Sequence, residues 1–499
     1  MADPVPNVEG ALALGTGSDG IARVLRKNLT VVSLAYVIGG LAGFAAQTYL
    51  ARRLGNVVFG EYVAALSLAS IVSVLDELGG TGYVVREGAR DPTRLAGLIS
   101  DSLPLKLGLG AAVVGVTLAA AVALRFGSMG VAVATLLALM LAANAISRTL
   151  RAGLQAVERM EQASALSIAN AVVSAVLIIL IVRAGGGLTP AMAASAAVSV
   201  ALIPASWWVL RRRVPVVLRM SPGAAGRIAR ASLPFTAFMV LTFAVQYADA
   251  LIVRGTLGES QVGLYGAAYR LLLVLQWVPS IYVDSAYRTL SHLSGGPKAA
   301  FALFIDRSAA VLFLLGLPIA AGGAILGDRV IVLVFGHAYL GGGSAFRILL
   351  LSLPLVFANW ILLASIVVGD RPRAAALLMI AALAGNVSAN VALVPRFGID
   401  AAAWVNVATD AVLCVAATWT LHRAGVRVRW PILVWPALPA CAALAFVTLV
   451  LRHLPVAVPI VAGAATYVVA LLLLRVPGRL GFAVARRRAL GEASPGNVR

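Results

Sequence analysis

Apolar blocks of about twenty residues, parted by short polar breaks, run through almost the whole chain from Leu29 onward. A helix rises about 1.5 Å per residue, so a block of that length crosses the ~30 Å hydrocarbon core of a bilayer. The pattern predicts fourteen spans, approximately 29–51, 58–79, 103–124, 130–150, 165–183, 190–210, 232–253, 262–284, 309–334, 346–369, 374–394, 400–421, 432–451 and 456–474. No stretch shows the two-residue alternation of membrane strands, so a closed barrel is not predicted. The expected fold class is an all-α polytopic membrane protein of about 14 transmembrane helices. The first block is too long for a signal peptide and lacks a small-residue cleavage pattern, so it is read as a retained span.

One stretch returns. Leu54-Gly55, four residues, then Gly60-Glu61-Tyr62-Val63-Ala64-Ala65 is matched without a gap by Leu257-Gly258, four residues, then Gly263-Leu264-Tyr265-Gly266-Ala267-Ala268. Spans 1 and 2 therefore correspond to spans 7 and 8. Six spans per unit is an even number, so both units enter from the same side. That predicts two six-helix lobes related by a parallel repeat, an arrangement of transporters whose substrate path lies between halves. The expected organisation is a disordered cytoplasmic tail (1–20), an N-lobe (21–210) and a cytoplasmic linker (211–231) carrying Arg211, Arg212, Arg213, Arg219, Arg227 and Arg230. A C-lobe (232–425), two C-terminal helices outside the duplication (426–475) and a basic cytoplasmic tail (476–499) follow.

Composition agrees. Hydrophobic residues make up 61% and charged residues 12%, against about a quarter charged in soluble chains. A net charge of +20 would ordinarily suggest nucleic acid. Here, with the N-terminus inside, Lys and Arg favour the inner loops roughly three to one. The charge thus marks orientation, both termini are placed in the cytoplasm, and the partner is the bilayer rather than nucleic acid. Loops are too short for a soluble domain. Cys414 and Cys441 lie inside apolar blocks, and His292, His337, His422 and His453 are scattered, so no disulfide framework, metal site or cofactor is expected. Gly295-Gly296-Pro297-Lys298 lacks the spacing of a nucleotide-binding loop, which argues against ATP drive within the chain.

The run Leu50-Ala51-Arg52-Arg53-Leu54-Gly55, then Phe59-Gly60, Leu78-Gly79 and Val85-Arg86-Glu87, resembles the start of bacterial polysaccharide exporters, or oligosaccharide flippases. These belong to the multidrug/oligosaccharidyl-lipid/polysaccharide exporter superfamily. Val334-Phe335-Gly336-His337-Ala338-Tyr339 resembles that family's segment after span 9. Val394-Pro395-Arg396-Phe397-Gly398-Ile399-Asp400-Ala401-Ala402 resembles its turn between spans 11 and 12, with Asp400 where the family usually has Gly. The likeness covers most of 20–425. It implies two lobes working by alternating access, and a substrate of oligosaccharide on polyprenyl pyrophosphate moved from inner to outer leaflet of the bacterial cytoplasmic membrane. It also implies a possible partnership with a polysaccharide polymerase or other export proteins.

Carrying such an anion calls for cations, and Arg suits best because its planar fork pairs with phosphate oxygens. Ionisable groups within spans are costly and are functional candidates by default. Arg270 lies about two turns inside span 8, and Asp249 lies near the outer end of span 7, where the two side chains could meet. Two readings stand: Arg270 is a phosphate ligand that Asp249 releases during the cycle, or the two form a permanent structural pair. Arg52, Arg53 and Arg254 are outer-corner candidates for the same charge, against a plainer reading as interfacial anchors. Arg86 and Arg148 are inner-end candidates, against ordinary anchoring. Asp410, mid-span in span 12, is a coupling candidate or a hydrogen-bonded core carboxyl. Asn144, Asn170, Asn359, Asn386, Asn390 and Asn406 are read as interhelical hydrogen-bonding groups, worth about 0.6 kcal/mol each. Gly39 and Gly43 make a small face on span 1, and Pro279 should kink span 8; packing and gating are both open for them.

Two other functions remain as alternatives. A cation-coupled exporter of small drug-like molecules would need an acidic, aromatic site. A membrane glycosyltransferase or polysaccharide polymerase would need a sizeable outer loop, which the spacing of the spans disfavours. The chain is read as a transporter and not as an enzyme.

Overall fold

The computed structural model describes residues 18–157, 159–214 and 221–476. Both terminal tails, nearly whole, and the middle of the basic linker lie outside the described residues. Among the described residues the structure is helical, without strands. The order is α1 (Ser18–Ser73), α2 (Thr81–Arg90), α3 (Leu95–Ala123), α4 (Ser128–Ala156), α5 (Met160–Arg183), α6 (Leu188–Arg211), α7 (Ala224–Leu257) and α8 (Glu259–Leu275). Then come α9 (Trp277–Ser294), α10 (Lys298–Phe335), α11 (Gly343–Val368), α12 (Pro372–Phe397), α13 (Ile399–Arg423), α14 (Trp430–Val434), α15 (Leu438–Val450) and α16 (Ala457–Leu473).

Among the described residues, twelve helical stretches are long and apolar enough to cross a membrane. The first, Val37–Val85, has 49 residues; at helical rise it would be about 74 Å long, more than twice a bilayer core, so it holds two crossings. Ala457–Leu473 is a shorter apolar helix that brings the crossings to the fourteen expected. Span 8 is broken at Gln276 between α8 and α9. Pro279 has no N–H to offer the Leu275 carbonyl, which is where the break falls.

The break inside α1 is at Gly55, with φ 80° and ψ 174°. Gly258 (φ 87°, ψ 178°), Gly336 (φ 95°, ψ 171°) and Gly398 (φ 73°, ψ −160°) repeat it at the starts of α8, of the short 3-10 turn His337–Gly342, and of α13. This region of backbone space is essentially reserved for glycine. The Leu-Gly and Phe-Gly pairs thus mark four corners of one geometry.

The chain divides into two compact units, one of Leu68–Ala237 with the chain up to Leu50, the other of Ala51–Ser67 with the chain from Phe238 onward. These units depart from the sequence halves in one exchange: Ala51–Ser67, the corner of the first repeat, packs with the second.

The first unit has a core of Leu95, Ile99 and Leu103 (α3), Ile146, Leu150 and Leu154 (α4), Ala163 (α5) and Leu210 (α6). Gly39 of α1 lies against Ala171 of α5, where an added Cβ would be 3.4 Å from the alanine's own. Three polar side chains tie its helices: Asn170 donates to Asn144 at 3.0 Å, Asn144 to Ser199 at 3.3 Å and Ser199 to Asn170 at 3.4 Å.

The second unit explains the exchange. A Cβ on Gly60 would lie 1.8 Å from the Glu259 carbonyl oxygen, and one on Gly263 would lie 1.9 Å from the Asn56 carbonyl oxygen. Gly60 and Gly263 are the matching glycines of the duplication, and Asn56 and Glu259 are the residues four before each. The two copies of the motif cross backbone on backbone. The Asn56 amide donates to Ser260 at 3.0 Å beside the crossing. Around it Phe59 packs edge-on against Tyr339 with ring centres 5.9 Å apart, and Phe335 closes the cluster. The Tyr339 hydroxyl donates to the Ala51 carbonyl at 2.9 Å. At the far end of the unit Tyr467 of α16 donates to the Leu314 carbonyl of α10 at 3.0 Å, which docks the last helix pair.

Gly60→Ala or Gly263→Ala should force the crossing apart and cost about 1–3 kcal/mol or more, as overpacking does. Gly43, where an added Cβ meets nothing within 4 Å, should accept Ala with folding unchanged or slightly improved. Thermal unfolding of the three purified variants in one detergent checks the contrast; a Gly60→Ala protein as stable as the parent would refute the crossing.

Candidate functional site

Among the described residues, the most connected polar cluster in a span lies inside the second unit. Helical spacing puts Tyr265 and Tyr269 on one face of α8, Asn386 and Asn390 on one face of α12, and Asn406 and Asp410 on one face of α13, each pair four residues apart. Asp249 of α7 is the focus, with 1% of its surface exposed. Asn390 donates to its Oδ1 at 2.9 Å and Tyr265 to its Oδ2 at 3.0 Å, and Asn406 donates to the same Oδ2. The Asn406 amide also lies 2.8 Å from the Tyr265 oxygen. Asn386 donates to Thr409 at 3.3 Å. Tyr265 stacks on Tyr269 with ring centres 5.9 Å apart.

Asp410 sits deeper on α13. Asn359 of α11 donates to its main-chain carbonyl at 3.0 Å, and Ser352 and Asn359 flank its carboxylate. Asp249 and Asp410 lie within electrostatic reach of each other. A buried carboxylate held only by neutral donors keeps its charge uncompensated by any cation. Such a group can take up a proton or a small cation and so change the charge of the span. Among the described residues no three His, Cys, Asp or Glu side chains gather into a metal site.

The expected meeting of Arg270 with Asp249 does not occur: no ion pair joins them among the described residues. The reason is angular. Tyr265 points at Asp249, and Arg270, five residues on, is about 140° further round the helix. Arg270 is half-buried, lies within electrostatic reach of Tyr62 and Tyr269, and makes no hydrogen bond or ion pair among the described residues.

The other arginine candidates are placed as follows. Arg52 donates through Nε to the Val334 carbonyl at 2.6 Å and through Nη2 to the Leu333 carbonyl. It caps the C-terminal end of α10, where unpaired carbonyls and the helix dipole attract a cation. Arg53 is exposed. Arg254 is paired with Glu259 at 3.3 Å, and Arg148 with Glu77 at 3.4 Å. The side chain of Arg86 lies outside the described residues. Asp400, the departure from the family pattern, accepts from Ser344 at 2.7 Å in the first turn of α13, which suits a carboxylate at a helix start.

Sequence reasoning treated Tyr265, Asn390 and Asn406 as repeat and packing residues and missed that they converge on Asp249. The paired spacings Asn386-x-x-x-Asn390 and Asn406-x-x-x-Asp410 were the available signal. It also passed over Lys106, Asp76 and Arg151 of the first unit.

The described residues form a multi-pass helical bundle with a repeated corner motif and ionisable groups inside its spans, and its fold is similar to solved structures of the multidrug/oligosaccharidyl-lipid/polysaccharide exporter (MOP) superfamily. One similar structure is the lipid II flippase MurJ in an inward closed conformation, with TM-score 0.74 and 12% identity over 89% of this chain and 99% of that one. Another is an inward-facing multidrug resistance MATE family transporter, with TM-score 0.63 and 19% identity over 78% and 95%. A third is a MOP superfamily transporter from Pyrococcus furiosus described as having a binding pocket of reverse polarity, with TM-score 0.56 and 17% identity over 80% and 96%. No curated protein matches the chain. The chain belongs to the polysaccharide biosynthesis protein family, whose profile matches residues 25–293.

Asn406→Ala should remove a donor from the buried Asp249 carboxylate and lower stability by about 1–3 kcal/mol. Asp249→Leu combined with Asn406→Ala should recover part of that loss, because no buried acceptor is then stranded. Unfolding midpoints of the single and double variants measure the coupling, and strictly additive losses would sink the network.

Proposed function

We propose that this protein flips polyprenyl-pyrophosphate-linked oligosaccharides from the inner to the outer leaflet of a bacterial cytoplasmic membrane, by alternating access, for polysaccharide export. The observation that carries the reading is Arg270. It is a half-buried cation within a span, with no hydrogen bond or ion pair among the described residues. An ion in that position is costly unless a ligand meets it, and a diphosphate matches its fork. Membership of the polysaccharide biosynthesis protein family supports an oligosaccharide as the rest of the substrate.

In this reading Asp249 and Asp410 couple the movement to an ion or proton gradient. Gly39, Gly43 and the break beside Pro279 supply the flexing positions. Arg52, Arg53 and Arg254 remain candidates for receiving the charge at the outer end, and Arg86 and Arg148 at the inner end. Both termini face the cytoplasm, as the distribution of Lys and Arg argues, and a polymerase would consume the exported unit.

A second reading, a cation-coupled exporter of small molecules in the same superfamily, is favoured by the buried carboxylates and the stacked Tyr265–Tyr269 pair. The two differ in what Arg270 does. Arg270→Ala should lower flipping of a diphosphate-linked substrate about ten- to a hundredfold, the worth of one charge-assisted hydrogen bond. Arg270→Lys should keep part of it. Surface polysaccharide and inner-leaflet accumulation of the lipid-linked unit, measured in cells with equal membrane levels of each variant, give the result. Full export by Arg270→Ala would remove Arg270 from the site.

A further inference from the structure

The first unit holds a second group of charges. Lys106 of α3 is fully buried, and its Nζ donates to the Asp76 carbonyl at 2.6 Å. Gly79 makes room for its stem, since a Cβ there would be 2.6 Å from Cδ and Cε. The Asp76 carboxylate is buried without a hydrogen bond and lies in the field of Lys106. Glu77 pairs with Arg148 of α4. Two acids thus answer two cations.

Among the described residues Arg151 is the cation left over. It follows Arg148 by one turn on α4 and is 9% exposed. Its Nη1 is sealed without a partner, and no hydrogen bond or ion pair holds it among the described residues. The charge that acts on it is Arg148, of the same sign. A guanidinium keeps its proton in proteins, so it cannot escape this position by becoming neutral. Burial without a counter-charge is strongly unfavourable.

We infer that Arg151, with Arg148 beside it, forms an anion site at the end of α4 that the Lys and Arg bias assigns to the cytoplasm, and that its ligand is a phosphate group. α4 runs from Ser128 to Ala156, so Arg151 lies about 35 Å along it from the opposite end, near one bilayer thickness. At that level the abundant anions are phosphates of lipid headgroups. The diphosphate of a lipid-linked substrate awaiting transport presents the same oxygens. The site stands on the charge count alone; only the second of these sources rests on the function proposed above.

The full-length protein in nanodiscs of neutral phosphatidylcholine tests this, with phosphatidylglycerol or undecaprenyl diphosphate added in separate arms. Unfolding midpoint and lipid retention in native mass spectrometry are read. At least one addition should raise the midpoint of the parent protein. Arg151→Gln should lose that rise and retain the ligand about tenfold less, while unfolding no earlier than the parent in neutral discs. Arg151→Lys should keep part of the rise. Glu77→Gln, which frees Arg148 and leaves Arg151 intact, should increase retention. A response to phosphatidylglycerol alone supports a headgroup site, and one to undecaprenyl diphosphate alone supports a substrate site. The inference is overturned if Arg151→Gln responds like the parent in both arms. It is also overturned if that variant unfolds earlier in neutral discs, or if Glu77→Gln leaves retention unchanged. None of these readings requires flipping, so export by Arg270 variants can fail or succeed independently.

Discussion

Everything in the second unit is arranged about one contact, the crossing of Gly60 and Gly263 with no side chain between the backbones. In lipid, apolar side chains gain little by leaving the solvent for each other, so helices associate through close packing and hydrogen bonds. Two glycines give the closest approach available. Phe59, Phe335 and Tyr339 then seal the flank of the crossing, and Arg52 ties the corner to the end of α10. The contact also accounts for the compact units. Ala51–Ser67 leaves its sequence half because its glycine fits only against its own duplicate.

Two solutions to burying charge coexist. Around Asp249 every donor is neutral, drawn from three different helices. A carboxylate so held stays polar without a fixed counter-ion, and its charge can change without breaking an ion pair. In the first unit, Asp76, Glu77, Lys106 and Arg148 answer charge with charge. That arrangement is stiffer, since removing one partner strands the other. The proposed transport calls for both kinds of group: one that can alter its charge within a span, and one that holds the spans in place meanwhile.

The number and type of elements were legible in the sequence because a bilayer imposes a length on every apolar block. Fourteen predicted spans match the helices to within a few residues at most ends, though span 9 continues back to Lys298 as α10. The repeat was legible because glycine corners tolerate no substitute. The site was legible only in part. Asp249, Asp410 and Arg270 stood out as ionisable residues in apolar blocks, but which groups meet depends on helix rotation, which hydropathy does not encode. The Arg270–Asp249 pairing failed for that reason. The partners of Arg52 were not legible either, because its acceptors, the last carbonyls of α10, lie some 280 residues away in the chain.

The duplication separates the positions that the two copies share from those that they do not. Tyr62 and Tyr265 occupy matching positions, and so do the glycines on which the copies cross. By the same spacing, Asp249 corresponds to Ala46, and Arg270 corresponds to Ser67, whose hydroxyl merely bonds back to the Val63 carbonyl at 2.8 Å. Shared positions therefore hold packing residues, and the ionisable ones fall at unshared positions: Asp249 and Arg270 in the second copy, and Glu61, opposite Leu264, in the first. A repeat that preserved only structure would have no reason to keep an acid and a base in the membrane at unmatched positions, because each costs stability there. The first copy meets its own charges on different helices, at Asp76, Lys106 and Arg151, where the duplication provides no counterpart motif.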